Sequence, residues 1–134
     1  MSTDMARHHS TVSQLRSRDF SHTSSSDVPI ILQASLKCAD IGHTMLPTSE
    51  HVQWSHYLQE ELFSEGDCWK QHGWKPPSLM DRSTAGDFAS SQLGFFRYII
   101  IPFLEAFSNV LPGLQPLMDA ALANANHWKT YQSS

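Results

Sequence analysis

In four separate stretches the apolar residues of this chain recur at the three-to-four-residue spacing of a helix, and nowhere do they alternate with the period of two that a half-buried strand requires. That pattern constrains the fold more than any other feature, because side chains repeating at helical spacing cannot also line one face of a sheet. The stretches are separated by Gly42, by Pro76-Pro77 and by Pro112-Gly113, residues that end helices or open loops. With 134 residues the chain can close one modest core. The expectation is a single all-α, multi-helix domain over residues 1–134.

Residues 21–27 (Ser-His-Thr-Ser-Ser-Ser-Asp) read as a short polar linker. Asp27 is the expected N-cap of a helix over 28–41, with Pro29 in the first turn where its missing N–H costs little. That segment is apolar nearly all round, the signature of a buried helix, and Gly42 supplies its stop. Thr48 or Ser49 is expected to cap a second helix running to about Gly66, with Val52, Trp54, Leu58, Leu62 and Phe63 on one side and Glu60, Glu61 and Glu65 on the wetter side. Residues 69–82, with Gly73, Pro76 and Pro77, read as a structured loop. A third helix begins near Phe88 and carries Gln92, Phe95, Phe96, Ile99 and Phe103; Pro102 should kink it by removing one backbone bond and crowding the carbonyl four residues earlier. A last helix spans about 114–131.

Composition excludes several classes. A net charge of −4 offers no basic surface for nucleic-acid phosphates. Cys38 and Cys68 are too few for a disulfide framework, and Cys38 in an apolar run reads as a small buried thiol. The longest apolar run, 98–104, contains Pro102 and is too short for a membrane span, and no signal-peptide core opens the chain. A cytoplasmic protein is expected. Eight histidines prompt a search for metal sites, but His8 and His9 are adjacent rather than four apart and read as a solvated pair.

Two constellations could carry chemistry. Asp40 falls in the last turn of the 28–41 helix, the negative end of the helix dipole, where an anion is disfavoured by about 0.3–1 kcal/mol and asks for a cation. A semi-exposed aspartate at a helix end is the commoner arrangement, and Asp40 with His43 three residues later leaves both readings open. Gln92 and Phe95, three apart, share a helix face; an amide offering both donor and acceptor suits a purine edge, and a phenyl ring can stack on the base. A surface glutamine beside a core phenylalanine has the same spacing.

The order of the motifs supplies a resemblance. Lys37-Cys38-Ala39-Asp40-Ile41-Gly42-His43 is followed by Pro47, Trp54 and Gln59-Glu60-Glu61-Leu62-Phe63-Ser64-Glu65-Gly66-Asp67, then by Leu79-Met80-Asp81-Arg82, Ser91-Gln92-Leu93-Gly94-Phe95 and 98–102 ending in Pro102. Upstream stands Ser2-Thr3-Asp4-Met5-Ala6-Arg7-His8. In register, these resemble the C-terminal portion of a class I cyclic-nucleotide phosphodiesterase catalytic domain. The resemblance implies that Asp40 is a metal ligand, that Gln92 grips the purine and that Phe95 clamps it. It places Leu58 and Phe63 in the pocket wall, Leu79 near the clamp, Met5 towards the metals and His43 facing substrate. In such enzymes Zn²⁺ and Mg²⁺ activate a hydroxide that opens the cyclic phosphate to the 5′-monophosphate.

The family's His-Asn-x-x-His segment, its His-Asp pair and its general-acid histidine have no counterpart here, and the spacer over 83–90 is slightly longer than usual. Asp40 alone should hold metal poorly, since zinc takes three or four protein ligands. The expectation is therefore a part of a larger catalytic domain, inactive or nearly so alone, with self-association through uncovered core surface. The alternative is a non-catalytic truncated helical module that binds a nucleotide or a protein partner.

Overall fold

The computed structural model describes residues 2–17 and 25–132, the side chains of 2–6 and 132 excepted. Within them the protein is all-α: α1 (Ser2–Arg16), α2 (Val28–Asp40), α3 (Thr48–Gln71), α4 (Phe88–Phe95), α5 (Ile101–Val110) and α6 (Gln115–Gln132), with tight turns at Gly42–Met45, Ser78–Met80 and Pro112–Leu114. Most of the expected linker, 21–24, lies outside the described residues.

The centre of the fold is the run from α4 to α5. Phe96, Ile100, Phe103, Leu104 and Phe107 are fully buried, and Val12 and Leu15 of α1, Ala34 and Cys38 of α2 and Met118, Ala121 and Trp128 of α6 close around them. Between α4 and α5 the chain makes one wide π-helical turn, Phe96–Ile100, directly before Pro102. Pro102 has no N–H for the Tyr98 carbonyl, and a widened turn is one way a helix absorbs that loss. Contrary to the expectation that no stretch reaches the length of a membrane span, 88–110 is long and apolar enough by length and composition alone. Its buried residues form the core just described.

Four further expectations need correction. α1 was not anticipated; its inner face is His8, Thr11, Val12 and Leu15, with helical spacing but half polar, so the apolar pattern is faint. His8 is accordingly buried against Phe103, at 6.3 Å between ring centres, rather than solvated. α2 is not buried all round: Leu32 and Leu36 are 63% and 67% exposed, because only the Ala34–Cys38 side meets the core. α3 begins after Pro47 without a side-chain cap from Thr48 or Ser49, and it runs five residues past Gly66. Gly66 does not end the helix; it admits the 78–80 turn, whose Met80 carbonyl oxygen would collide with a Cβ at that position. Asp27 marks the start of α2 through its carbonyl, which accepts from the Ile30 and Ile31 N–H groups.

Candidate functional site

Two helices with matching stripes build a cleft. On α3, Ser55, Leu58, Gln59 and Leu62 fall at successive helical intervals; on α4, Phe88, Ser91, Gln92 and Phe95 do the same. With His43, Leu79 and Ala85 they enclose about 350 Å³, mostly apolar. α4 is fixed at its start by Asp87, whose Oδ2 accepts from the Ser90 backbone N–H at 2.8 Å and from the Ser90 hydroxyl at 2.7 Å. These bonds hold the Asp87 carboxyl below the usual carboxylate range. Gly86, at φ +70°, makes the turn that delivers the cap.

Five residues singled out from sequence therefore line one cleft: His43, Leu58, Leu79, Gln92 and Phe95. Phe63 does not line it; its ring is buried, with the Arg82 guanidinium 4.9 Å from its centre. Met5 lies on α1, and its side chain is outside the described residues. Sequence reasoning missed Ser55, Gln59, Leu62, Ala85, Phe88 and Ser91, of which all but Ala85 belong to the two helical stripes and could have been found by extending them from Leu58 and Gln92.

The cleft holds one unsatisfied polar atom. The Gln92 Oε1 is buried with no hydrogen-bond partner among the described residues. Polar groups so placed are normally paired.

The Leu79 segment is tied down by charge. Arg82 reaches Glu60 at 3.1 Å and Asp67 at 3.1 Å, and Lys70 donates to Asp81 at 2.7 Å. The Lys70 bond, helped by Ser83, holds the Asp81 carboxyl far below its ordinary range, and the two acids raise Arg82. Two motifs distant in sequence, 59–67 and 79–82, thus form one unit.

His43 and Leu58 also line a second, more open groove, mostly apolar but carrying the carboxylates Asp40 and Glu61, so two compartments meet across them. Burial lowers the His43 pKa. Asp40 is exposed at the end of α2. Among the described residues no three His, Cys, Asp or Glu side chains come together as a metal site. The donors present among the described residues therefore do not fit a zinc centre.

The family model for 3'5'-cyclic nucleotide phosphodiesterase matches residues 1–121. The chain is 27% identical over 120 residues to the human (Homo sapiens) high affinity cGMP-specific 3',5'-cyclic phosphodiesterase 9A, covering 88% of this chain and 20% of that protein. It is 30% identical over 115 residues to the dual 3',5'-cyclic-AMP and -GMP phosphodiesterase beta of Plasmodium falciparum (isolate 3D7), covering 82% of this chain and 10% of that one. The fold matches the solved structure of LmjPDEB1 in complex with IBMX with a TM-score of 0.88 at 23% identity, over 98% of this chain and 40% of that one. The chain thus spans a fifth or less of these two curated relatives.

Proposed function

We propose that this chain, which belongs to the 3'5'-cyclic nucleotide phosphodiesterase family, forms the base-binding side of a cyclic-nucleotide phosphodiesterase cleft. The observation that carries the reading is the buried Gln92 Oε1, without a partner among the described residues, on a residue that lines a mostly apolar pocket. A buried acceptor without a donor costs about 1–3 kcal/mol, and an N–H on the edge of a purine would remove that cost. Phe95 supplies a ring for the base to stack on, worth roughly 1–3 kcal/mol in nucleic-acid systems. Leu58 and Leu79 give the base its apolar walls, and Met5 belongs to the metal side. His43, where the two compartments meet, faces the sugar and cyclic phosphate.

The relatives' names specify cGMP in one case and both cAMP and cGMP in the other, which supports a 3',5'-cyclic purine nucleotide as the proposed substrate class. Hydrolysis to the 5'-monophosphate would require Zn²⁺ and Mg²⁺ held mainly by ligands beyond those described, with Asp40 as one contributor. The chain alone is then inactive or nearly so, and the proposed setting is cytoplasmic signalling. A second reading is a non-catalytic module that holds a partner or a second copy; it is favoured by the exposed Leu32 and Leu36 on α2.

Calorimetric titration of cAMP and cGMP into the chain tests the first reading. We expect binding that weakens at least about tenfold in Gln92→Ala. Absence of binding, or a Gln92→Ala chain that binds equally well, refutes it. Metal-dependent release of 5'-monophosphate by the pure chain would overturn the need for further ligands.

A further inference from the structure

We infer that His51 is a positioning residue: held by Trp128 as the neutral Nδ1–H tautomer, it latches to α6 the turn that carries His43 into the cleft. The inference deepens the nucleotide-binding reading and rests on it for the role of His43. His51 sits in the first turns of α3 and is fully buried. An indole N–H can only donate, and that of Trp128 lies 2.8 Å from His51 Nε2, so this nitrogen carries the lone pair. The ring proton must then be on Nδ1, which lies 2.9 Å from the His43 carbonyl oxygen and donates to it. The His43 ring stacks on the same imidazole, with centres 5.8 Å apart and planes within 19°. One ring therefore holds His43 by its backbone and by its side chain.

The arrangement admits one protonation state. A proton on Nε2 would face the indole N–H, donor against donor, inside a closed aromatic cage that includes Phe96 edge-on at 5.3 Å. The titratable groups bearing on His51 are His43 on the turn and His127 on α6, and neither offers a compensating negative charge. Burial and these neighbours lower its pKa, against a smaller upward pull from the His43 carbonyl. Ser55, which lines the cleft, donates its hydroxyl to the His51 carbonyl at 2.9 Å and so shares the latch.

Two-bond nitrogen–proton NMR spectra of the ¹⁵N-labelled chain read the tautomer directly. We expect the Nδ1–H pattern for His51 near neutral pH. On acidification its titration should move the Trp128 indole N–H and the His43 ring signals together. An Nε2–H pattern, or titration of His51 in the ordinary histidine range with the Trp128 signal unmoved, overturns the inference, and this readout needs no variant. Trp128→Phe keeps the ring packing and removes the donor. It should free Nε2, raise the His51 pKa, displace the His43 ring signals and weaken binding of a fluorescent cyclic-GMP analogue by roughly two- to tenfold, the worth of one neutral hydrogen bond. Unmoved His43 signals in that variant reduce His51 to a packing residue and overturn the positioning role. If His43 responds as expected while the unaltered chain binds no cyclic nucleotide, the latch stands and the proposed function falls.

Discussion

Asn124 offers the sharpest test of how α6 supports the cleft. Its side chain is fully buried, and its Nδ2 donates to the carbonyl oxygens of Thr44 and Leu46, both at 2.9 Å, across sequence separations of 80 and 78 residues. Asn124→Ala removes both bonds and leaves two carbonyls facing a cavity. Two neutral bonds contribute about 0.5–1.5 kcal/mol each, and a carbonyl stranded away from water costs about 1–3 kcal/mol. Against this, Asn124 Oδ1 is itself buried without a partner among the described residues, so its removal returns part of the loss. The net expectation is about 2–4 kcal/mol of destabilisation. Asn124→Asp is the control on mechanism. It keeps the shape but sets an acceptor against two acceptors, so near neutral pH it should be less stable than the alanine variant. Burial raises the carboxyl pKa of the new aspartate, and its protonated form can donate to one carbonyl. The deficit should therefore be present above that raised pKa and shrink as pH falls through it. Urea unfolding followed by tryptophan fluorescence, at several pH values and with constant slope, measures both variants. An alanine variant within about 1 kcal/mol of the parent, or an aspartate variant that tracks it at every pH, would show that Asn124 fills space rather than clamping the turn.

Further outcomes are accessible with the same assays. Gly66→Ala should destabilise the chain by about 1–3 kcal/mol or more, since its Cβ would meet the Met80 backbone; an unchanged midpoint would mean that the 78–80 turn moves freely. His51 and His43 both have lowered folded pKa values, so their contribution is full above the unfolded value of about 6.5 and is lost as pH drops from there towards the folded values. His51→Phe should flatten that part of the stability profile, and a profile unaltered by the substitution would remove His51 as its source. Arg82→Ala should speed proteolysis within 72–87 in low salt, with the difference from the parent narrowing in high salt as the Glu60 and Asp67 pairs are screened; equal cleavage rates at low salt would deny those pairs a role.

What could be read from the sequence was whatever repeats locally. The cores of α2, α3, α5 and α6 are visible as helical periodicity. Gln92 and Phe95, three apart, do open into the same cleft as Leu58 and His43. α1 was hidden because His8 and Thr11 occupy inward positions that a hydrophobic scan discounts. Gly66 carries the same letter whether it ends a helix or lets another backbone approach, and only the position of Met80 decides. The exposure of Leu32 and Leu36 was equally illegible, because an apolar helix surface does not state whether anything covers it.

The deeper reason lies in α6. Asn124 and Trp128, four residues apart on one face, make the bonds that hold the 42–46 turn and His51, at sequence separations of 77 to 80 residues. Taken alone, each is an unremarkable residue on an amphipathic helix, and no motif includes them. Their partners are two backbone carbonyls and one imidazole lone pair, which leave no mark in a residue pattern. A cleft whose contact residues sit mainly on α3 and α4, with His43, Leu79 and Ala85 beside them, thus takes part of its shape from a helix that contributes nothing to its lining. Substitutions on α6 should therefore alter nucleotide affinity without changing any lining residue, by displacing the turn that carries His43, and affinity should follow the hydrogen-bonding capacity of positions 124 and 128 rather than their size.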